Sequence, residues 1–537
     1  MRLAAGTLLV ALCGSAAAHA QPAAPEASAC ADEVGVDDDR LLRQWSIDLW
    51  GRTPSVDEYA AFASLRATQG EAAYATQVDA MLASSAFDAF LERYHADLLW
   101  PSVEALTLVS PTSILLPAGF YGAAGDAARL FNPFVAFQQR GELFAPCDDA
   151  PAEWGADGEP VLFDRADGTR REGWVLIEPY WAPGTQVKVC ALEARAAATS
   201  PAGQDCLNPQ TQQLGVCGCG PALERCASLE VAQRLQVDVR AQGLRPFLRA
   251  AREGQPYTTA LTEAREDVSG PLAHYYRHLA RFALDPLIAE APFDLTAVDD
   301  LDYTSAAWRS VERAAPQHAG ALTSAAFLLR FQTARARANR FYNAFLCEPF
   351  VAPVEGLPSP NDACSQEPDL RGRCGCNSCH ARLEPAAAHW GRFAEAGTLA
   401  IDPERFPVFS ARCAQCAERP DAPCDPVCER FYVTEVGHPK QRPFAGVLKA
   451  FEFRGPDEVA RLEAGPADLV ARSVDDGRLA ACATQQVFRR LMQRAPTTEE
   501  QVFELAEHAR AFQESDFDFV GLVRALALSP GYRRMLR

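Results

Sequence analysis

Apolar residues recur at intervals of three and four along most of the chain. Between residues 41 and 100 this spacing runs through Leu42, Trp45 and Leu49, with alanine filling the positions between. Such spacing is typical of amphipathic helices. It returns in residues 228–347 and 443–537. The pattern therefore predicts a mainly α, multidomain helical protein.

The two ends of the chain carry similar sequences. Residues 49–54 (Leu-Trp-Gly-Arg-Thr-Pro) match residues 491–496 (Leu-Met-Gln-Arg-Ala-Pro), and a four-residue capping box follows each, at 55–58 and 497–500. A capping box marks the start of a helix. Two copies are too few for a solenoid. We therefore predict an N-terminal helical module at 38–100 and a related C-terminal helical module at 443–537.

The region between the modules changes character twice. Residues 101–227 contain more proline, glycine and aromatic residues, and β-type runs at 173–177 and 186–189 flank a turn signal at Ala182-Pro183-Gly184. This favours a Cys-containing loop/β insertion with a short hairpin. A middle helical domain follows at 228–347. Residues 348–442 form a segment rich in cysteine and proline.

The first residues resemble a secretory signal. Arg2 precedes an apolar run, and Ala18-His19-Ala20 supplies a small-residue cleavage site. We expect a signal peptide at 1–20, a mobile leader at 21–37, and an exported protein, periplasmic or extracellular. Cys13 leaves a lipoprotein alternative open. No later stretch reaches 18 consecutive apolar residues, so we expect no transmembrane span after signal removal.

Charge and cysteine content narrow the function further. The chain has 51 Lys+Arg against 70 Asp+Glu, a formal charge of −19, which disfavours nucleic acid as a partner. The 18 cysteines fit an oxidising compartment. Without Cys13 their number is odd, and it stays odd if two carry a cofactor. Cys482, far in sequence from the clusters, is our candidate for the unpaired thiol.

One motif carries specific chemistry. Cys376-Asn377-Ser378-Cys379-His380 is a C-x-x-C-H sequence, the attachment pattern of c-type haem. Two cysteines on one helical turn can form thioethers to the two vinyl groups, while His380 reaches the iron as proximal ligand. The motif predicts one covalent haem c. A zinc site or a disulfide-bonded knot in which His380 is incidental remains as the alternative.

The sequence leaves alternatives for the sixth ligand of the iron and for the role of a second group of cysteines. His389 and His438 are the candidate distal ligands, beside an open or water-bound position. Cys413, Cys416, Cys424 and Cys428 could hold structural zinc or form two disulfides. Export favours the disulfides.

With the motif located, the flanking sequence resembles the planctomycete cytochrome-c family. Ala387 departs from the glycine usual in that family. The similar segments are residues 379–385, 47–54, 78–84, 256–262 and 482–494. The resemblance implies an exported, haem-bearing protein that acts in electron transfer or in an extracytoplasmic degradative system, with 348–442 as its cytochrome c-like segment.

The resemblance supplies no substrate, redox partner or enzymatic reaction. The function expected from the sequence is therefore that of an exported monohaem c-type cytochrome-like protein, in electron transfer or another haem-dependent redox role. The alternative is a non-enzymatic, disulfide-stapled secreted protein that acts as a binding module or scaffold.

Overall fold

The structure is a computed structural model. It describes residues 34–109, 114–117, 129–131, 147–166, 168, 170–200, 203–206, 211, 217–280, 291–313, 318–351, 356, 358–395, 397–419, 423–449, 455 and 457–535. The expected signal peptide, Cys13 and most of the expected leader lie outside these residues.

Helices dominate the described residues, as the sequence predicts. They are α1 (Asp38–Trp45), α2 (Val56–Gln69), α3 (Ala72–Ala83), α4 (Asp88–Leu99), α5 (Leu229–Glu253), α6 (Thr259–Thr262), α7 (Gly270–His274), α8 (Ala325–Arg330), α9 (Ala334–Phe345), α10 (Asn377–Ala387), α11 (Ala411–Ala417), α12 (Pro426–Phe431), α13 (Glu458–Asp475), α14 (Arg478–Met492), α15 (Leu505–Glu514) and α16 (Phe519–Ala527). None of the helices in the described ranges is long and apolar enough to cross a membrane.

The strands are short and form small sheets. They are β1 (Val34–Gly35), β2 (Ile114–Pro117), β3 (Arg129–Phe131), β4 (Phe163–Asp164), β5 (Arg170–Arg171), β6 (Trp174–Ile177), β7 (Val187–Cys190), β8 (Ala227–Ser228), β9 (Arg265–Ser269), β10 (Trp308–Glu312) and β11 (Arg534–Met535). The pairs β1–β11, β4–β5 and β9–β10 stand alone, and the largest sheet has the order β6-β7-β3-β2-β8.

The predicted hairpin of the insertion is confirmed. Strand β6 pairs antiparallel with β7, with Trp174 opposite Cys190 and Ile177 opposite Val187. Gly184 has a φ of 78° in the connecting turn, a conformation that glycine adopts readily. The hairpin forms one edge of the largest sheet.

Both predicted capping boxes are present with the same geometry. At the start of α2 the Glu58 amide donates to Ser55 Oγ at 3.2 Å, and the Ser55 amide donates to Glu58 Oε2 at 2.7 Å. In the C-terminal copy the corresponding Thr497 and Glu500 bonds have the same lengths, 3.2 and 2.7 Å. The sequence similarity between the two ends thus extends to side-chain geometry.

The residues before each capping box also correspond. Gly51 ends the π-helical segment Ser46–Trp50 that continues α1, and Gln493 ends α14. Both lie in the left-handed region, with φ values of 73° and 52°. Arg52 and Arg494 then each form a two-pronged ion pair with the glutamate of the box. The two segments are therefore structural copies of one helical unit.

The two modules lie against each other although they are far apart in sequence. The Trp45 indole donates to the Ala527 carbonyl at 3.0 Å, and the Tyr532 hydroxyl donates to the Asp48 carboxylate at 2.6 Å. Strand β1, which lies within the range of the expected leader, pairs with β11 near the other end of the chain. Both modules share one hydrophobic core with the middle helical domain and with buried residues between Leu383 and Phe393 of the segment at 348–442.

Candidate haem-attachment site

Disulfides account for nearly all cysteines in the described residues. The pairs are Cys147–Cys190, Cys206–Cys217, Cys219–Cys226, Cys347–Cys482, Cys364–Cys374, Cys413–Cys428 and Cys416–Cys424. Within the described part of the chain, Cys376 and Cys379 are unpaired, and both are partly exposed. The two thiols without a disulfide partner are thus the two of the C-x-x-C-H motif.

This pairing settles two expectations from the sequence. The prediction of a free thiol at Cys482 is wrong, because Cys482 bonds to Cys347 across a separation of 135 residues. Of the two readings for the cluster at 413–428, the disulfides expected in an exported protein are confirmed, by two bonds with separations of 15 and 8 residues.

The motif forms the first turn of α10. The amides of Cys379 and His380 donate to the Cys376 carbonyl at 3.2 and 3.0 Å. Residues three apart on such a turn project from the same side of a helix. The disulfide between Cys364 and Cys374 closes the loop just ahead of the turn. The local sequence therefore presents both thiols on one side, next to the imidazole.

The His380 imidazole is oriented by a carboxylate one turn further along α10. Its Nδ1 lies 2.6 Å from Glu384 Oε1, and the side chains are 23% and 3% exposed. Because a carboxylate is an acceptor, Nδ1 is the donor of this contact, and in the neutral imidazole Nε2 then presents its lone pair. The same Glu384 oxygen accepts from Arg335 Nε of α9 at 2.8 Å.

A backbone carbonyl of an exposed apolar residue lies next to one of the thiols. The Cys379 sulfur is 3.7 Å from the Val351 carbonyl oxygen, and Val351 is 67% exposed. The neighbouring Phe350 packs on Tyr342, with ring centroids 5.1 Å apart. Two thiols without a disulfide partner and an imidazole whose carboxylate contact uses Nδ1, not Nε2, are the groups that covalent haem attachment uses. The residues present fit the group.

Helix α13 supports the segment that carries the motif. Three acidic side chains of α13 reach cations or a histidine of that segment. The pairs are Glu458 with Arg371, Glu463 with Arg392, and Asp468 with His389. The C-terminal region thereby fixes the residues on both sides of α10.

The two candidate distal histidines occupy different environments. His389 is buried in the turn after α10, where Nδ1 meets the Ala386 carbonyl at 3.0 Å and Nε2 meets the Asp468 carboxylate at 3.1 Å. Burial lowers the pKa of His389, and its hydrogen bonds with Asp468 and Ala386 oppose this shift. Since both ring nitrogens are engaged, the observed contacts of His389 are structural ones.

His438 lies on a half-buried loop next to the segment that precedes the motif. Its Nδ1 accepts from the Lys440 amide at 3.2 Å. The Lys440 ammonium pairs with Glu367 at 3.2 Å, inside the loop that the Cys364–Cys374 disulfide closes. His389, His438 and an open position all stay predictions for the sixth ligand of the iron.

Sequence reasoning missed Glu384 and Arg335. The signal for Glu384 was present, because a glutamate four residues after a histidine shares its helix face. Arg335 comes from α9, and no local pattern connects it to the motif. Comparisons with family models, curated proteins and solved structures find no match to this chain. The interpretation of the site thus depends on its own geometry.

Proposed function

We propose that this chain is an exported monohaem c-type cytochrome-like protein. Cys376 and Cys379 are its thioether anchors and His380 is the proximal ligand. The observation that carries the proposal is the cysteine distribution. Fourteen cysteines of the described residues are in disulfides, and the two left unpaired belong to the one motif that needs thiols.

Each group of the motif then has a defined role. The Cys376 and Cys379 thiols would hold the haem by adding across its two vinyl groups, with sulfur on one vinyl carbon, the thiol hydrogen on the other, and no oxidant consumed. His380 offers Nε2 to the iron, because Nδ1 is held by Glu384. When bound, haem supplies one-electron redox chemistry.

The surroundings favour electron transfer or another haem-dependent redox role outside the cytoplasm. The disulfides fit an oxidising compartment. A formal charge of −19 gives most of the surface a negative potential, which disfavours polyanionic partners. A soluble electron donor or acceptor in the same compartment is the partner that this role requires.

The test is expression with a cytochrome c maturation system, followed by intact mass measurement. The purified protein should carry one additional haem, about 616 Da, that survives denaturation. The variant Cys376→Ser/Cys379→Ser should lose it. The matched control Cys364→Ser/Cys374→Ser removes the neighbouring disulfide and should keep the haem.

Two results would overturn the assignment. One is a wild-type mass without haem. The other is covalent haem that persists in the Cys376→Ser/Cys379→Ser variant. The first result would favour the alternative function, a secreted binding or scaffold protein, for which the disulfides themselves are the supporting observation. The second would show that haem is attached at other residues.

A further inference from the structure

Glu384 has an unusual position for a carboxylate. Its side chain is 3% exposed, and its Oε1 accepts from both His380 Nδ1 at 2.6 Å and Arg335 Nε at 2.8 Å. Its Oε2 is buried and has no hydrogen-bond partner among the described residues. A buried carboxylate without full hydrogen bonding is costly to keep, which calls for a role beyond packing.

We propose that Glu384 is a positioning residue that fixes the Nδ1–H tautomer of His380 and lowers the reduction potential of the attached haem. Arg335 opposes this effect, because it shares the same carboxylate oxygen. This inference rests on the proposed function, since it takes His380 as the proximal ligand.

His380 Nδ1–H donates to the Glu384 carboxylate. A hydrogen bond from Nδ1–H to a charged acceptor is stronger than one to a neutral carbonyl. It shifts electron density toward Nε2 and makes the imidazole a more basic ligand. A more basic ligand stabilises the ferric over the ferrous state, which lowers the reduction potential.

Arg335 is expected to affect the reduction potential in the direction opposite to Glu384. Its guanidinium is 42% exposed, so water can solvate it without Glu384. The guanidinium withdraws negative charge from the oxygen that His380 uses. Removing it leaves the whole hydrogen-bond capacity of that oxygen to Nδ1. We therefore expect substitutions of Glu384 and Arg335 to shift the reduction potential in opposite directions.

Potentiometric titration of the haem-loaded protein tests the effect on potential. In Glu384→Gln, we expect the ferrous-to-ferric ratio at a given solution potential to rise about tenfold, a midpoint about 59 mV higher. In Arg335→Gln, the midpoint should fall. Glu348→Gln is the matched control, because Glu348 pairs with Arg382 of α10 without reaching His380.

A second measurement does not need haem. In the Cys376→Ser/Cys379→Ser protein, 15N NMR of the neutral His380 ring should show the proton on Nδ1. Adding Glu384→Gln should move it toward Nε2. This readout follows the hydrogen bond itself, and a purely structural role for Glu384 would not move it.

The outcomes separate the two proposals. Absence of haem from the wild-type protein contradicts the proposed function, and the NMR measurement then decides on the His380–Glu384 pair alone. If haem is attached, a Glu384→Gln midpoint equal to that of wild type overturns the inference. An equal upward shift in Glu348→Gln overturns it too, because it would show a general charge effect.

Discussion

The buried His95 should make the protein sensitive to acid. The side chain lies on α4 and is 1% exposed, with its ring stacked on Phe247 at 4.0 Å. Nδ1 meets the Leu91 carbonyl at 2.7 Å, and Nε2 is buried without a hydrogen-bond partner in the described structure. Protonating Nε2 would place an unpaired N–H and a charge among aromatic rings. Burial accordingly lowers the pKa of His95 to about 3.

The sign and size of the effect follow from that pKa. The unfolded chain takes up this proton near pH 6.5, whereas the folded protein does so near pH 3, so His95 makes no contribution above pH 6.5 and destabilises the fold as pH falls below it. The slope is about 1.4 kcal/mol per pH unit for one proton. Between pH 7.5 and 4.5 the loss from His95 reaches about 3 kcal/mol.

Equilibrium urea unfolding from pH 4.5 to 7.5 measures this loss. His95→Phe keeps an aromatic ring and removes the titrating nitrogen. His95→Leu also removes that nitrogen, with a smaller side chain. Both should flatten the dependence of the free energy of unfolding on pH by about one proton. His508→Gln, at a half-buried histidine of α15, should change it less. If the two His95 variants and the wild type give parallel curves, the burial argument is wrong.

Two further predictions concern the shared core and the repeat. The variant Cys347→Ser/Cys482→Ser should lower the free energy of unfolding by about 2–4 kcal/mol, because the disulfide closes a loop of 135 residues; an unchanged urea midpoint would contradict this. Glu58→Gln and Glu500→Gln should each cost about 1 kcal/mol at pH 7. Their arginine partners lower the pKa of both carboxyls to about 2. This stability is therefore present above pH 4.5 and is lost as pH falls toward 2. Urea unfolding over that pH range measures the loss.

Local features of the fold could be predicted from the sequence, and distant pairings could not. The capping boxes at Ser55 and Thr497 follow from hydrogen bonds that close within four residues. The β6–β7 hairpin follows from two β-type runs around one turn. The packing of Trp45 against Ala527 depends on how the whole chain folds, and no periodicity encodes it.

The same division holds at the candidate site. The motif spacing alone predicts that Cys376, Cys379 and His380 share a helical turn, as the structure shows. The error at Cys482 has a physical origin. Short loops close at low entropic cost, which favoured pairing within the clusters. In the folded protein, however, helices α9 and α14 pack together and bring Cys347 to Cys482.

The corrected pairing moves the odd cysteine to Cys30. The chain has 18 cysteines, and removal of the expected signal peptide takes Cys13 away. Fourteen are in disulfides and two belong to the haem motif, which leaves Cys30, outside the described residues. Alkylation of the unfolded, non-reduced protein should therefore label Cys30 alone, unless Cys30 joins two chains in a dimer that reductant separates. Peptide mapping gives the answer, and a label on any of the fourteen bonded cysteines would contradict the pairing.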